Sequence, residues 1–552
     1  MTTPAGAFAR EFIGALAELG VRDYVLCPGS RSGPLAHSLA EADSQDRPAG
    51  APEVSLHVRI DERSAAFVAL GIARSYLAAG DVRPVAVVTT SGTAVGNLLP
   101  AVMEAHHAGL PLLLLTADRP SELKGVGANQ TTDQGEIFGP FVRWMSESAA
   151  PLDVEKGGRA TRLAVRAVAT ALGQAQTDGV MNAVGPVHLN IEFRAPLQAD
   201  HGEWPYVELP ATDKTRWRPR SFKDAIRGRE VHLPARQRGI VIAGDSAGDI
   251  AREVAELHRW PLLAEPTSGA HTGDACIAGY VDFLASPRGA KLAAHATVIV
   301  VIGRPTLSRH IQKLIGTAGE LYIAAHGARW KEAPRSATNV YQSVPDTWLE
   351  REPGAPDTND EWLNYWREAV VPVAVGWNAD AVAAEVLAAL GAGDTCVVGS
   401  SGPVRALDRL APAWPVGEAP TIIANRGLAG IDGTISTAVG VALGSKRPVT
   451  ALMGDVTFAH DVGGLLVGPR ERRPQLRIVM VNDGGGTIFA TLEHKDGDPV
   501  HVERVFTTPH GVDFAAVCAG YAVAHTAVAD VEALRKALAR PIDGFEVIEA
   551  KV

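Results

Sequence analysis

Cysteine is scarce in this 552-residue chain, and long apolar runs are missing altogether. The four cysteines, Cys27, Cys276, Cys396 and Cys518, have no paired spacing. That excludes a disulfide framework or a zinc ribbon and points to reduced, buried thiols. No apolar stretch approaches the roughly 18–20 residues that a spanning helix needs. Met1–Arg10 has no charged region leading into an apolar core, so a cytoplasmic location is expected. Positive charge is also in deficit. Net charge is −10, which disfavours nonspecific nucleic-acid binding. An anionic ligand would have to be held by a local arginine cluster rather than by the overall field.

What is present is the composition of an ordinary enzyme, 46% hydrophobic and 21% charged. The length exceeds what one core usually serves. Apolar β-rich runs alternate with Ala/Leu-rich helical runs, which predicts α/β architecture with doubly wound parallel sheets. A first domain is expected over 1–197, with strands at Tyr24–Cys27, Ser55–Ile60, Val85–Thr89, Leu112–Thr116 and Val187–Ile191. Residues 198–235, rich in proline, tryptophan and charge, read as a linker. A central domain, 236–345, carries strands at Gly239–Ala243 and Thr297–Ile302. A second linker, 346–375, leads to a third domain, 376–552, with strands at Thr395–Val398, Thr421–Ala424, Val449–Met453, Arg477–Val481 and Glu546–Ile548.

Two features carry chemistry. The dipeptide Gly-Asp occurs at six places, and most are turns. Gly454-Asp455 differs because it ends a buried strand, and Asn482 ends the next one, 27 residues on. Open α/β sheets bind ligands at the carboxyl ends of their strands, so the two side chains would share a crevice. Asp455, Asn482 and the Gly484 carbonyl make an oxygen set suited to Mg²⁺, completed by diphosphate oxygens and water. Two plain strand-end turns are the alternative. The other feature is Glu62, which follows a strand and opens a helix capped by Asp61. A carboxyl held there could bond a heterocycle nitrogen, or simply complement the helix dipole.

Ser-Gly-Thr at 91–93, Gly-Pro-Val-His-Leu-Asn at 185–190 and Gly-Asp…Asn at 454–482 resemble the thiamine diphosphate superfamily of pyruvate oxidase and acetohydroxyacid synthase type. Pro-Gly-Ser-Arg-Ser (28–32), Asp-Glu-Arg (61–63), Thr-Ala-Asp-Arg-Pro (116–120), Gly-Ala-Asn-Gln (127–130) and Asn-Arg-Gly-Leu-Ala-Gly-Ile-Asp-Gly (425–433) resemble one branch of it. That branch is the MenD family, the 2-succinyl-5-enolpyruvyl-6-hydroxy-3-cyclohexene-1-carboxylate synthases of menaquinone biosynthesis. The resemblance covers essentially the whole chain and is weakest in the central domain.

The resemblance implies decarboxylation of 2-oxoglutarate and 1,4-addition of the succinyl carbanion equivalent to isochorismate. It names thiamine diphosphate with Mg²⁺ or Mn²⁺ as cofactors. The three domains become pyrimidine-binding, central and diphosphate-binding. Glu62 becomes the activating carboxyl, and Gly454, Asp455, Asn482 and Gly484 the diphosphate and metal site. Ile431 is implied beneath the cofactor, with Ile488, Phe489 and Leu492 as an apolar wall. Arg31, Arg119, Asn129 and Gln130 are implied to hold isochorismate, with Ser30 and Ser32 nearby. Ser401 and Arg405 would hold the distal carboxylate of 2-oxoglutarate, Arg426 would neutralise charge beside them, and Arg309 matches a basic residue from the central domain. In the superfamily Glu62 and Asp455 equivalents come from different subunits, which implies a homodimer or homotetramer. Asp483 departs from the family's usual second asparagine. His106 and His107 read as structural. An acetohydroxyacid synthase-like enzyme, with a nucleotide near Gly244–Gly248, remains the alternative.

Overall fold

The computed structural model describes residues 2–154, 158–177, 180–181, 183–200, 202–209, 225–227, 231–234, 237–325, 337, 339–351 and 360–552. Three six-stranded sheets organise the chain. The first contains β1 (Asp23–Leu26), β2 (Ser55–Val58), β3 (Val85–Thr89), β4 (Leu112–Asp118), β5 (Met145–Ser148) and β6 (Val187–Glu192). All are parallel, in the order β2-β1-β3-β4-β6-β5. Its central strands are buried along their whole length. This explains why they read as unbroken apolar runs: helices cover both faces of a parallel sheet.

The second sheet contains β7 (Ala225–Arg227), β8 (Gly239–Ala243), β9 (Leu262–Ala264), β10 (Val298–Ile302), β11 (Glu320–Ala324) and β12 (Asn339–Tyr341), in the order β9-β8-β10-β11-β12-β7. Only β7 runs antiparallel, pairing with β12. The third contains β13 (Thr395–Val398), β14 (Thr421–Ile423), β15 (Val449–Gly454), β16 (Leu476–Asn482), β17 (Ala524–Val528) and β18 (Phe545–Lys551), in the order β14-β13-β15-β16-β18-β17. Counted within each sheet, the first and third share one strand order. The similar rhythm of the first and third stretches of sequence is therefore one topology used twice.

Neither expected linker is only a linker. Within 198–235, Asp200 pairs with buried Arg10, Trp204 Nε1 donates to Glu41, and β7 joins the second sheet. Within 346–375, Trp348, Trp362, Leu363 and Trp366 are buried in the core of the second sheet. The tryptophans at 362 and 366 are one helical turn apart, on the Asp360–Trp366 helix. Their spacing signals a buried face, which a reading by composition overlooked.

By packing, the chain forms two compact units. One is Met1–Arg220 with Asp432–Arg447 and His460–Gln475, and the other is the remainder. Segments expected in the third domain thus pack with the first. The reason is a close helix pair. Glu62–Ala78 meets Thr434–Ser445 where glycines remove side chains: a Cβ on Gly71 would overlap the Thr437 carbonyl, and one on Gly440 the Val68 carbonyl. Gly71→Ala is expected to destabilise this unit by about 1–3 kcal/mol through overpacking, read as a lower unfolding midpoint.

Candidate active site

In the first sheet, β1 and β3 are neighbours although β2 lies between them in sequence. Strand order reverses there, and ligands of open α/β sheets bind at that switch point. The loops leaving β1, β3 and β4 carry Ser30, Arg31, Ser91 and Arg119. Arg119 Nη1 donates to Ser91 Oγ and, at 2.6 Å, to the Gln130 carbonyl. Gln130, in a left-handed backbone conformation (φ 57°), returns its amide to the Ser91 carbonyl at 2.9 Å. Gly92 is required because a Cβ there would strike the Gln130 side chain. Arg31 Nη1 is anchored on the Phe193 carbonyl at 2.7 Å. Partial burial and the like charge of Arg119 hold its guanidinium below the usual value. Two cations that repel each other over exposed Asn129, Gln130 and Ser30 make a receptor for an anion. Ser32 plays another part: it is fully buried, and its hydroxyl donates to the Gly29 carbonyl, closing the turn.

Beneath Arg119 lies a polar network, drawn partly from the 116–120 and 185–190 motifs, whose members were given no role from sequence. Buried Asp118 accepts from the Arg119 backbone N–H at 2.7 Å and from Asn190 Nδ2 at 2.9 Å. Lys124 Nζ lies 3.1 Å from Asp118 and 2.9 Å from Glu192. Gln134 donates to Asn190 Oδ1 and accepts from Gly92 N–H. His188, 2.7 Å from Thr116 Oγ1, is pushed down to about 4 by burial. The sequence does carry a signal, since His188, Asn190 and Glu192 alternate along β6 and so share one face.

Glu62 is the first residue of its helix, and Asp61 caps it by accepting from Arg63 N–H. The approach is clamped: Glu471 accepts from Val58 N–H at 2.8 Å, and Arg63 Nη2 donates to the His460 carbonyl. Burial, followed by the charges of Glu62 and Asp61, pushes the Cys27 thiol up. His106 stacks edge-on against Phe141 and contacts Arg143.

In the third sheet the same switch point lies between β13 and β15. Asp455, 1% exposed, follows β15. Its Oδ1 accepts from Val456 N–H. Its Oδ2 accepts from Gly484 and Gly485 N–H at 2.9 and 3.0 Å and lies 3.1 Å from His510 Nε2. Asn482 Oδ1 accepts from Gly484 N–H at 3.2 Å. Gly484 has φ +81°, and a Cβ there or on Gly454 would meet only open space. Glycine at these positions leaves a cradle that packing does not fill. Asp483 is raised by burial, with Asp455 adding to the shift, and accepts from Thr487 Oγ1. Beside this loop opens a cavity of about 320 Å³ lined by Ser401, Ile431, Gly454, Asp455, Ile488 and Phe489, among others. Phe489 packs on Phe506, which stacks on His494. Leu492 is half-buried on the same loop.

Ser401 starts the Gly402–Leu410 helix at φ 75°, and its carbonyl accepts from Arg405. Partial burial and nearby Arg309 hold the Arg405 guanidinium below its usual value. Arg309 is exposed and pairs with Glu493 at 3.3 Å. Arg426 is buried, and its guanidinium is used to grip Thr306 and Ser400. Behind it, Glu265 accepts from Thr306 and Leu307 N–H, and burial beside Asp408 pushes its carboxyl up.

Side-chain oxygens of Asp455 and Asn482 meet at the Gly484 loop, and with a glycine carbonyl they would make an all-oxygen set, the chemistry a hard cation on a diphosphate requires. Among the described residues, no group of three His, Cys, Asp or Glu side chains could hold a metal. Among the described residues, no helix is long and apolar enough to cross a membrane.

Residues 7–137 match the thiamine pyrophosphate enzyme N-terminal TPP binding domain, and 408–550 match the C-terminal TPP binding domain. The chain is 41% identical to a 2-succinyl-5-enolpyruvyl-6-hydroxy-3-cyclohexene-1-carboxylate synthase of Nocardioides sp., over 99% of this chain and 95% of that one. It is 42% identical to the synthase of the same name from Kineococcus radiotolerans, with the same coverage. Benzoylformate decarboxylase from Polynucleobacter necessarius shares the fold at TM-score 0.67 and 19% identity, over 99% of this chain and 98% of that one.

Proposed function

The chain belongs to the 2-succinyl-5-enolpyruvyl-6-hydroxy-3-cyclohexene-1-carboxylate synthase family of thiamine pyrophosphate enzymes, and we propose how its residues divide that family's reaction among them. The reaction is decarboxylation of 2-oxoglutarate followed by carbon–carbon bond formation with isochorismate, a step of menaquinone biosynthesis. Bound thiamine diphosphate supplies the electron sink that lets a bond beside a carbonyl break and form. The single observation that carries the assignment of roles is the convergence of Asp455, Asn482 and Gly484 at adjacent strand ends, beside the cavity walled by Ile431, Ile488 and Phe489.

In this reading the first sheet belongs to the pyrimidine-binding domain, the second sheet, with Ala225–Arg227 and the Asp360–Trp366 helix, to the central domain, and the third sheet to the diphosphate-binding domain. Asp455, Asn482 and the Gly484 carbonyl hold Mg²⁺ or Mn²⁺ against the diphosphate. Glu62 holds a proton at a ring nitrogen of the cofactor. Ile431, Ile488, Phe489 and Leu492 exclude water where carbon dioxide leaves, so that a developing charge is not trapped by solvent. Arg31, Arg119, Asn129 and Gln130 receive isochorismate, with Ser30 at the rim and Ser32 holding the turn. Ser401 and Arg405 take the distal carboxylate of 2-oxoglutarate, and Arg309, released from Glu493, adds a second charge. Arg426 shapes the Thr306 loop and contributes positive potential from within.

Arg405→Ala is expected to raise KM for 2-oxoglutarate by roughly 10- to 100-fold, the 1.5–3 kcal/mol of a hydrogen bond to a charged group. KM for isochorismate stays near its wild-type value. Initial-rate kinetics with each substrate varied separately check this, and equal effects on both would contradict the assignment.

The working form is a cytoplasmic homodimer or homotetramer in which Glu62 of one chain and Asp455 of another serve one cofactor. Mixing inactive Glu62→Gln chains with inactive Asp455→Ala chains is then expected to restore roughly one quarter of wild-type activity. Half of randomly paired two-fold dimers are mixed, and each mixed dimer has one intact site. No recovery after verified subunit exchange would place both residues in the same chain's site.

A further inference from the structure

Glu549 lies on β18, beside β16, and is only 3% exposed. Its Oε1 accepts from Asn482 Nδ2 at 2.6 Å. Its Oε2 lies 3.0 Å from His525 Nε2, and Lys551 Nζ is 3.8 Å from Oε1. A buried carboxylate is unfavourable unless its oxygens are matched, and here both are. The match has a direction. A carboxylate only accepts, whereas an asparagine amide donates at one end and accepts at the other. Glu549 can therefore bind only the nitrogen of Asn482, and the amide oxygen is turned toward the Gly484 loop. Without that partner only the 3.2 Å hydrogen bond from Gly484 N–H holds the amide, and its flipped orientation aims N–H groups at the place a cation would occupy.

We propose that Glu549 is a positioning residue for the divalent-metal site: it sets the amide of Asn482 so that Oδ1 faces the cation, with His525 holding Glu549 in turn. This rests on the thiamine diphosphate reading of the Asp455–Asn482 crevice. Outer partners of metal ligands commonly act in this way, by fixing which atom of the ligand is presented.

The test is equilibrium Mn²⁺ binding to the full-length protein at saturating thiamine diphosphate, with free Mn²⁺ read by electron paramagnetic resonance. Glu549→Ala is expected to weaken Mn²⁺ binding by roughly 10- to 100-fold. An affinity within about two-fold of wild type overturns the proposal. Because removing a buried acid can unfold the strand, a near-isosteric swap provides the second arm. Asn482→Asp alone sets two carboxylates against each other and weakens binding. Adding Glu549→Gln lets the new amide donate to the new carboxylate, whose other oxygen faces the metal. The double variant is expected to recover about ten-fold or more of the affinity lost in Asn482→Asp. A merely structural Glu549 yields no such recovery, and its absence also overturns the proposal. Failure of the wild-type protein to bind Mn²⁺ in a thiamine diphosphate-dependent way would instead defeat the underlying reading of the site.

Discussion

Glu62→Gln is expected to lower kcat by roughly 10²- to 10⁴-fold, the range associated with losing a positioned proton-transfer group. Thiamine diphosphate binding, followed by isothermal titration, should persist. The substitution keeps size and hydrogen-bonding capacity but removes the exchangeable carboxyl proton. The local fold gives it little reason to disturb anything else. Asp61, not Glu62, caps the helix, and Glu471 and the His460 carbonyl clamp the flanking residues. Had Glu62 been present only to complement the helix dipole, its loss would change stability by about 0.3–1 kcal/mol and leave turnover intact. The two roles therefore predict different observables. Near-wild-type turnover would rule out the catalytic one.

Asp455→Ala should weaken Mg²⁺-dependent cofactor binding by roughly 10²- to 10³-fold, as expected for truncating a buried, hydrogen-bonded charge. Two effects add. The proposed metal ligand is lost, and Gly484 and Gly485 lose the acceptor that shapes their loop. Asp455→Asn separates them, because an amide oxygen still accepts from the loop while the negative charge is gone. If the charge matters most, Asp455→Asn behaves like Asp455→Ala in metal titrations. If the loop matters most, Asp455→Asn stays close to wild type.

The sheet-forming runs were legible because parallel strands buried on both faces leave continuous apolar stretches: Val85–Thr89, Gly239–Ala243 and Thr395–Val398 appear with the bounds read from sequence. Edge strands were legible only in part: Ser55–Val58 and Thr421–Ile423 were read, and others were not. Ala524–Val528 is partly exposed and carries histidine and threonine, and Met145–Ser148 alternates without a clear apolar face. The folding of 432–447 onto the first unit was hidden as well, because glycine-mediated helix contact depends on which glycines of two distant helices meet.

Residues of the site divide along a similar line. Asp455, Asn482 and Glu62 stood out as candidates by their position after an apolar run, and Arg119 by the resemblance of its motif. Supporting groups did not. Glu549 lies inside a strand and Asp118 at the end of one, within the 116–120 motif, and the role of each shows only through the groups it bonds. Ser32 and Arg426 were legible as polar residues within motifs. Burial alone decided that one closes a turn and the other grips a neighbouring loop.

The most direct measurement follows ¹⁴CO₂ release from 2-[1-¹⁴C]oxoglutarate alongside mass-spectrometric detection of product, omitting thiamine diphosphate, the divalent cation or isochorismate in turn. With all components present, carbon dioxide and a two-substrate adduct should form in equal amounts, and both should vanish without thiamine diphosphate or without the cation. Carbon dioxide release that is indifferent to isochorismate, with no adduct formed, would contradict the assigned reaction.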